Sequence, residues 1–262
     1  MNDIVQCTHH GNIAAVSLNR PDAGNSLSIA MLERLSATLA ELEAGKDTKV
    51  IILKSHGKIF CAGHDLKELT SARKQPDNGQ AFFTETLDKC AQLMQQIVHH
   101  PLPIIASVQG IATAAGCQLV ASCDLAVASH SASFATPGVH IGLFCSTPMV
   151  ALSRNVAPKH AMEMLLTGEM ISAEQALAWG LVNHAVDDSA LEHETMLLAQ
   201  KIASKPASTV AIGKTAFYRQ AELSLKDAYE YASEVMVQNM MNKDAEEGIS
   251  AFIEKREAKW YS

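Results

Sequence analysis

The sequence predicts an α/β fold built on a mainly parallel sheet. Three observations carry this. Unbroken apolar runs at residues 50–53, 104–108 and 125–128 have the pattern of strands covered on both faces. Stretches with helical spacing lie between them, and such alternation implies strands joined by right-handed crossovers. From residue 147 onward the pattern is helical almost throughout.

The elements follow in order. Residues 4–8 and 13–18 are apolar runs on either side of Gly11-Asn12, which is a hairpin signal. Asn19-Arg20-Pro21 ends the second strand. Asn25-Ser26 is read as the cap of a helix carrying Ile29, Leu32, Leu35, Leu39 and Leu42. After the strand at 50–53 comes a loop holding Phe60-Cys61-Ala62-Gly63-His64-Asp65. Residues 74–79, with Pro76, Asp77, Asn78 and Gly79, form a surface loop before a helix over 80–98. The strand at 104–108 leads into a small-residue turn at 110–116, a helix over 116–122 and a strand at 125–128. Ser172 with Gln175 makes a capping box, and Gly180 stops that helix. Helical stretches over 190–203 and 208–241 follow, and Gly248 opens a last short helix carrying Phe252 and Lys255. Residues 1–200 are thus the α/β core and 201–262 a helical C-terminal extension.

The chain has 262 residues, 48% of them hydrophobic and 19% charged, so it is long and apolar enough for a sizeable core and is not disordered. A net charge of −7 argues against nucleic acid as a partner. The apolar runs fall short of a membrane span, so no membrane association is expected. Met1-Asn2-Asp3-Ile4 has neither a basic leader nor an Arg-rich transit pattern. The expectation is a cytoplasmic protein, or one of the mitochondrial matrix if a transit peptide was removed. Six cysteines without a CxxC pair read as reduced, mostly buried thiols. Eleven histidines include no HExxH, and the pairs His9-His10 and His99-His100 do not share a face, so no metal site is expected.

Two small-residue loops each follow an apolar strand and precede a helix: Cys61-Ala62-Gly63-His64-Asp65 and Gly110-Ile111-Ala112-Thr113-Ala114-Ala115-Gly116. Small residues let a ligand approach the backbone, and helix starts aim free N–H groups outward. Two such groups converging would make an oxyanion hole. The plainer reading is that Gly and Ala merely permit tight strand-to-helix turns. No GxGxxG, P-loop or GxSxG element is present, which lowers dinucleotide, nucleotide-triphosphate and serine-hydrolase readings.

Five segments together resemble the crotonase (enoyl-CoA hydratase/isomerase) superfamily. They are Leu18-Asn19-Arg20-Pro21, Asn25-Ser26-Leu27, Phe60-Cys61-Ala62-Gly63-His64-Asp65-Leu66, residues 110–124 and residues 247–256. Residues 112–124, 134–138 and 142–148 look closer still to one branch of it. The resemblance covers essentially the whole chain. It implies a crotonase-like spiral of ββα units, a homotrimer or dimer of trimers, and an acyl-CoA ligand, with no cofactor beyond the CoA moiety. It places the oxyanion-hole N–H groups on His64 and Ala115. It sets Ala62, Asp65, Leu66, Lys67, Phe252 and Lys255 beside CoA, although on sequence alone Lys67 and Lys255 read better as solvated surface cations, and Phe252 reads also as a core residue at helical spacing. Val235, Met236, Met240, Phe252 and Trp260 are apolar beyond what a 200-residue core needs, which also points to an oligomer.

The sequence departs from the hydratase pattern at both catalytic glutamates, whose positions are occupied by Gln118 and Gly138. An amide holds water but does not trade protons near neutral pH, and glycine has no side chain. His140, two positions after Gly138, is the candidate acid/base, with the His64 ring as another. Cys145, Ser146 and Thr147 stand where some relatives place a catalytic acid, and none is acidic. Asp124 is read as structural. The leading function is an acyl-CoA-transforming enzyme, nominally a hydratase or isomerase of fatty-acid or related CoA metabolism. The alternatives are a catalytically silent acyl-CoA-binding protein and a decarboxylase-type enzyme that needs only the oxyanion hole.

Overall fold

The structure, a computed structural model, describes residues 3–45 and 47–262. β1 (Val5–His10) and β2 (Ile13–Leu18) form the expected antiparallel hairpin, with Val5 opposite Leu18 and His10 opposite Ile13. α1 (Ile29–Ala44) starts later than the Asn25-Ser26 cap implied. Ser28 caps it instead, its Oγ accepting from the Met31 N–H at 3.2 Å. Asn25 is occupied elsewhere. Fully buried at φ +50°, it donates from its amide to the carbonyls of His56 (2.8 Å) and Ile59 (2.7 Å), and its Oδ1 accepts from the Arg20 N–H.

The chain then repeats one pattern three times. β3 (Val50–Ser55) and β4 (Ile59–Cys61) precede α2 (Leu66–Ala72) and α3 (Gln80–His99). β5 (Ile104–Val108) and β6 (Ile111–Thr113) precede α4 (Ala115–Ser122). β7 (Leu125–Ser129) and β8 (Ser133–Ala135) precede α5 (Ser146–Asn155) and α6 (Pro158–Thr167). β9 (Ile171–Ser172), α7 (Ala173–Ala178) and β10 (His184–Val186) follow, with the Ser172–Gln175 capping box formed as expected.

The first strand of each pair joins one sheet, ordered β1-β2-β3-β5-β7-β10, and the second joins another, ordered β4-β6-β8-β9. This is the ββα spiral. Pairing is parallel except for β1 with β2 and β8 with β9. The single sheet expected from the long apolar runs is therefore two sheets. The reading of 110–116 as a plain turn and of 147 onward as helical omits β6, β9 and β10. β4 and β8, only three residues each, also escape notice, because so short a strand shows no alternation.

β3 explains why its run is uniformly apolar. Ile51 and Leu53 enter the larger core cluster, while Val50 and Ile52 join Ile13, Ile105 and Val127 against α8 (Leu191–Ala203). Both faces are covered, and each such side chain gains about 1.5–3 kcal/mol from full burial.

Beyond α8, within which the 200/201 division falls, lie α9 (Ala207–Gln220), α10 (Leu225–Met240) and α11 (Lys243–Glu254). The stretch expected over 208–241 breaks before Ser224, which caps α10 by accepting from the Asp227 N–H. α11 starts at Lys243, so Gly248 is a mid-helix residue rather than a start; it lies against the Trp260 ring. One buried cluster ties this extension to the core. Lys214 Nζ donates to Asp124 Oδ2 (2.7 Å) and to the carbonyls of Ile97 and Leu102. Tyr218 and the Ile104 N–H complete the carboxylate's shell. Asp124 is structural, as its place at a helix end suggested.

Candidate functional site

β4, β6 and β8 are adjacent and parallel, so their C-terminal ends open on one edge of the smaller sheet. In open α/β sheets that edge is where ligands bind. Three loops leave it: residues 62–65 into α2, Ala114 into α4, and residues 136–142 around a short 3-10 turn.

The first two loops touch. Gly63 has φ +90°, and a Cβ built on it would lie 2.9 Å from Ala114 Cβ and 3.4 Å from the Ala115 nitrogen. A Cβ on Gly116 would collide with the Cys61 carbonyl oxygen. Glycine at both positions is therefore what lets residues 61–64 lie against the start of α4. Ala114 holds an unusual backbone (φ +50°, ψ −118°), fixed by its N–H donating to Ala135 O (2.9 Å) and its carbonyl accepting from the Gln118 N–H (3.0 Å). Among the described residues, the backbone N–H groups of His64 and Ala115 have no acceptor. Ala115 opens α4, so the helix dipole adds to its pull on negative charge. This pairing can stabilise an oxyanion.

Three polar side-chain atoms on the same edge are buried without partners. Gln118, one turn into α4 and only 4% exposed, leaves Oε1 unpaired. Thr136, fully buried and next to Ala135, leaves Oγ1 unpaired. His64 donates from Nδ1 to the Leu27 carbonyl (3.4 Å), which leaves Nε2 a bare, buried acceptor. Burial lowers the His64 pKa against the pull of that carbonyl, so the ring is neutral at neutral pH. Buried polar groups in folded proteins are normally paired. Their concentration here marks a place for a ligand or ordered water. Among the described residues only His160 Nδ1 and Asn239 Oδ1 share this condition. Thr136 was missed by sequence reasoning, since a threonine before a proline in a loop carries no signal.

Gly138 is buried, and its backbone is not left-handed. Space restricts it: a Cβ would lie 2.8 Å from the Leu143 carbonyl oxygen and 2.9 Å from Cys145 Sγ. Burial raises both nearby thiols, Cys117 to about 12 and Cys145 above its ordinary value, so neither is a thiolate at neutral pH. His140 is exposed, and its Nε2 donates to the Thr167 carbonyl at the end of α6 (2.7 Å). Its remaining ring nitrogen is the one left for proton transfer.

The expected CoA-side residues divide. Ala62 is exposed and donates its N–H to Gly24 O (2.9 Å). Asp65 is buried and fully engaged: it caps α2 by accepting from the Lys67 and Glu68 N–H groups and pairs with Arg20 at 2.9 Å. Burial works to raise its pKa, but those N–H groups and the guanidinium hold it below the usual range. Leu66 and Lys67 are exposed on the first turn of α2. Phe252 is 85% exposed on α11, and Lys255 ends that helix at φ +55°. Among the described residues, no hydrogen bond or ion pair joins α11 to residues 61–67.

A cavity of about 250 Å³ lies apart from this edge, between α8 and the larger sheet, where Lys54 and Glu192 pair at 3.0 Å. None of the three orphaned atoms lines it. No helix among the described residues is long and apolar enough to cross a membrane.

A family model described as enoyl-CoA hydratase/isomerase matches residues 8–262. "Enoyl-CoA hydratase domain-containing protein 3, mitochondrial" of Rattus norvegicus is 51% identical over 248 residues, covering 95% of this chain and 81% of that protein. The crystal structure of human enoyl-CoA hydratase domain-containing protein 3 superposes with a TM-score of 0.93 at 45% identity, over 98% of this chain and all of that one. An enoyl-CoA hydratase structure from Mycobacterium smegmatis gives a TM-score of 0.95 at 46% identity, over the full length of both.

Proposed function

The chain belongs to the enoyl-CoA hydratase/isomerase family, and from that premise we propose that it binds acyl-CoA thioesters between the backbone N–H groups of His64 and Ala115. The observation that carries this reading is the pair of unpartnered donors, brought together by glycines that no other residue can replace without collision. The thioester oxygen gains charge as a carbanion forms at Cα, and both donors then bind it more strongly than in the ground state. Lys67, exposed on α2, supplies a cation for a CoA phosphate. Ala62 and Leu66 flank the pantetheine, while the engaged Asp65 shapes the segment. Phe252 and Lys255 reach CoA from a neighbouring subunit.

The leading role is an enzyme that transforms the acyl group through this enolate. Gln118 and Gly138 supply no carboxylate, the His64 ring is neutral, and His140 is held by Thr167. These observations favour a second reading, in which the chain binds acyl-CoA without turnover or decarboxylates a malonyl-type thioester. A CoA-thioester panel read by mass spectrometry separates them: hydration or isomerisation of an enoyl-CoA supports the leading role, loss of carbon dioxide from a malonyl-type thioester supports the decarboxylase, and binding without product supports the silent binder.

Ala115→Pro removes one donor and strains the turn, and is expected to cut acyl-CoA affinity or turnover sharply. A complex with the thioester oxygen beyond hydrogen-bond reach, about 3.2 Å, of both nitrogens would overturn the assignment.

A trimer-based assembly is part of the proposal. Met236 and Met240 of α10, Met241 just after it, and Phe252 and Ile253 of α11 are each more than half exposed, the kind of apolar side chain that an interface between copies would cover. Trp260 contributes less, because its Nε1 already donates to Ser204 O (3.0 Å). Sedimentation at micromolar concentration is expected to show trimers or hexamers, and a stable monomer would remove this claim. Six free thiols suit a reducing compartment, either the cytoplasm or, as the rat relative's name has it for that protein, the mitochondrion.

A further inference from the structure

We propose that Asn25 is a positioning residue of the oxyanion site, aiming the His64 N–H through the segment that runs beside it. The proposal rests on the acyl-CoA reading above. Residues 24–27 lie alongside residues 62–64 and are bonded to them in succession. The Ala62 N–H donates to Gly24 O (2.9 Å), the Leu27 N–H to Gly63 O (2.8 Å), and the His64 ring, from Nδ1, to Leu27 O (3.4 Å). The second of these bonds sets the donor's direction. The Gly63 carbonyl and the His64 N–H belong to one planar trans peptide unit, so they point opposite ways. Holding the carbonyl on Leu27 therefore turns the N–H away from Leu27, with no acceptor of its own.

Residues 24–28 belong to no helix and to neither sheet, so the aim is only as firm as whatever fixes them. Asn25 supplies that anchor. Its fully buried amide donates to His56 O (2.8 Å) and to Ile59 O (2.7 Å) at the start of β4, the strand that leads into residues 62–64. Its Oδ1 accepts from the Arg20 N–H (2.8 Å). A backbone at φ +50° suits glycine and asparagine, and of these only asparagine offers two donors and an acceptor on so short a side chain. A binding constellation works only when its groups are held to within about 0.5 Å by such supports. Ala115 has its helix for this purpose, and His64 has Leu27 and Asn25.

Isothermal titration of the full chain with butyryl-CoA and with S-butyl-CoA, the thioether that lacks the carbonyl oxygen, tests this. The ratio of the two affinities reads the contact to that oxygen alone. In the unmodified protein the thioester is expected to bind at least about tenfold more tightly, the effect of two backbone donors. Asn25→Gly keeps the backbone angle and removes all three side-chain bonds. It is expected to lower the ratio to about threefold, what one remaining donor gives, while S-butyl-CoA stays within about twofold of its original affinity. A ratio that is unchanged, or a parallel loss for both ligands, overturns the inference and leaves the acyl-CoA reading standing. Should Asn25→Gly fail to fold, amide hydrogen exchange of the unmodified protein decides. The Leu27 and Ala62 N–H groups are expected to exchange more slowly than that of His64, and a Leu27 N–H as fast as His64 overturns the inference. Equal affinities in the unmodified protein, or no binding of either ligand, bring down the oxyanion reading itself and this inference with it.

Discussion

Crotonyl-CoA hydration by this chain is expected to run about 10²- to 10⁴-fold slower than in a relative carrying both catalytic carboxylates, the usual contribution of one general acid/base. Paired groups are not additive, so the loss can lie outside that range. Following the enoyl absorbance with equal concentrations of the two proteins measures it. A rate typical of the family would sink the idea, and His140→Ala would then be expected to abolish the activity. Restoring the carboxylates is harder than the sequence suggests. At Gly138 the obstacle is the Leu143 carbonyl and the Cys145 sulfur, not the backbone angle. Gln118→Glu with Gly138→Glu is therefore expected to overpack the turn, costing about 1–3 kcal/mol, and to leave hydration unimproved. Two close carboxylates in this buried edge would also repel, with one held protonated.

Lys214→Met is expected to destabilise the protein by about 3–5 kcal/mol, because it strands the Asp124 carboxylate in the interior. Lys214 is only 6% exposed, and its ammonium also satisfies the carbonyls of Ile97 and Leu102. Burial raises the Asp124 pKa against the Lys214 charge, and lowers that of Lys214 against the Asp124 charge. Asp124→Asn combined with Lys214→Met removes both charges and should recover part of the loss. Denaturant unfolding measures all three proteins. A loss below about 1 kcal/mol for Lys214→Met would mean the pair behaves like a surface ion pair.

Long apolar strands and helical stripes were readable because periodicity over five or more residues averages out local noise. β2, β3, β5 and α1 are of this kind. β4, with only Ile59, Phe60 and Cys61, has nothing to average, and β9 lies between helices in a two-residue pairing. The cap of α1 was misplaced because Asn25 and Ser26 resemble cap residues, while the Asn25 amide is spent on the carbonyls of His56 and Ile59. Such a bond spans more than thirty residues and leaves no local trace. At the site, the two small-residue loops were visible as composition. Their contact through Gly63 and Gly116 was not, since it depends on β4 and β6 being neighbours. Thr136 entered only through its missing partner.

The collision that a side chain on Gly116 would have with the Cys61 carbonyl also bears on how such a protein diverges. The donors proposed to hold a thioester belong to the main chain, and their placement depends on a few glycines rather than on reactive groups. Proton handling belongs to side chains at positions such as 118 and 138. A single base change can erase the second without unbuilding the first. Lineages would thus be free to exchange their acid/base chemistry, or lose it, on an unaltered main-chain arrangement, whereas a side chain at position 116 would push the start of α4 off the Cys61 carbonyl and disturb both proposed donors together.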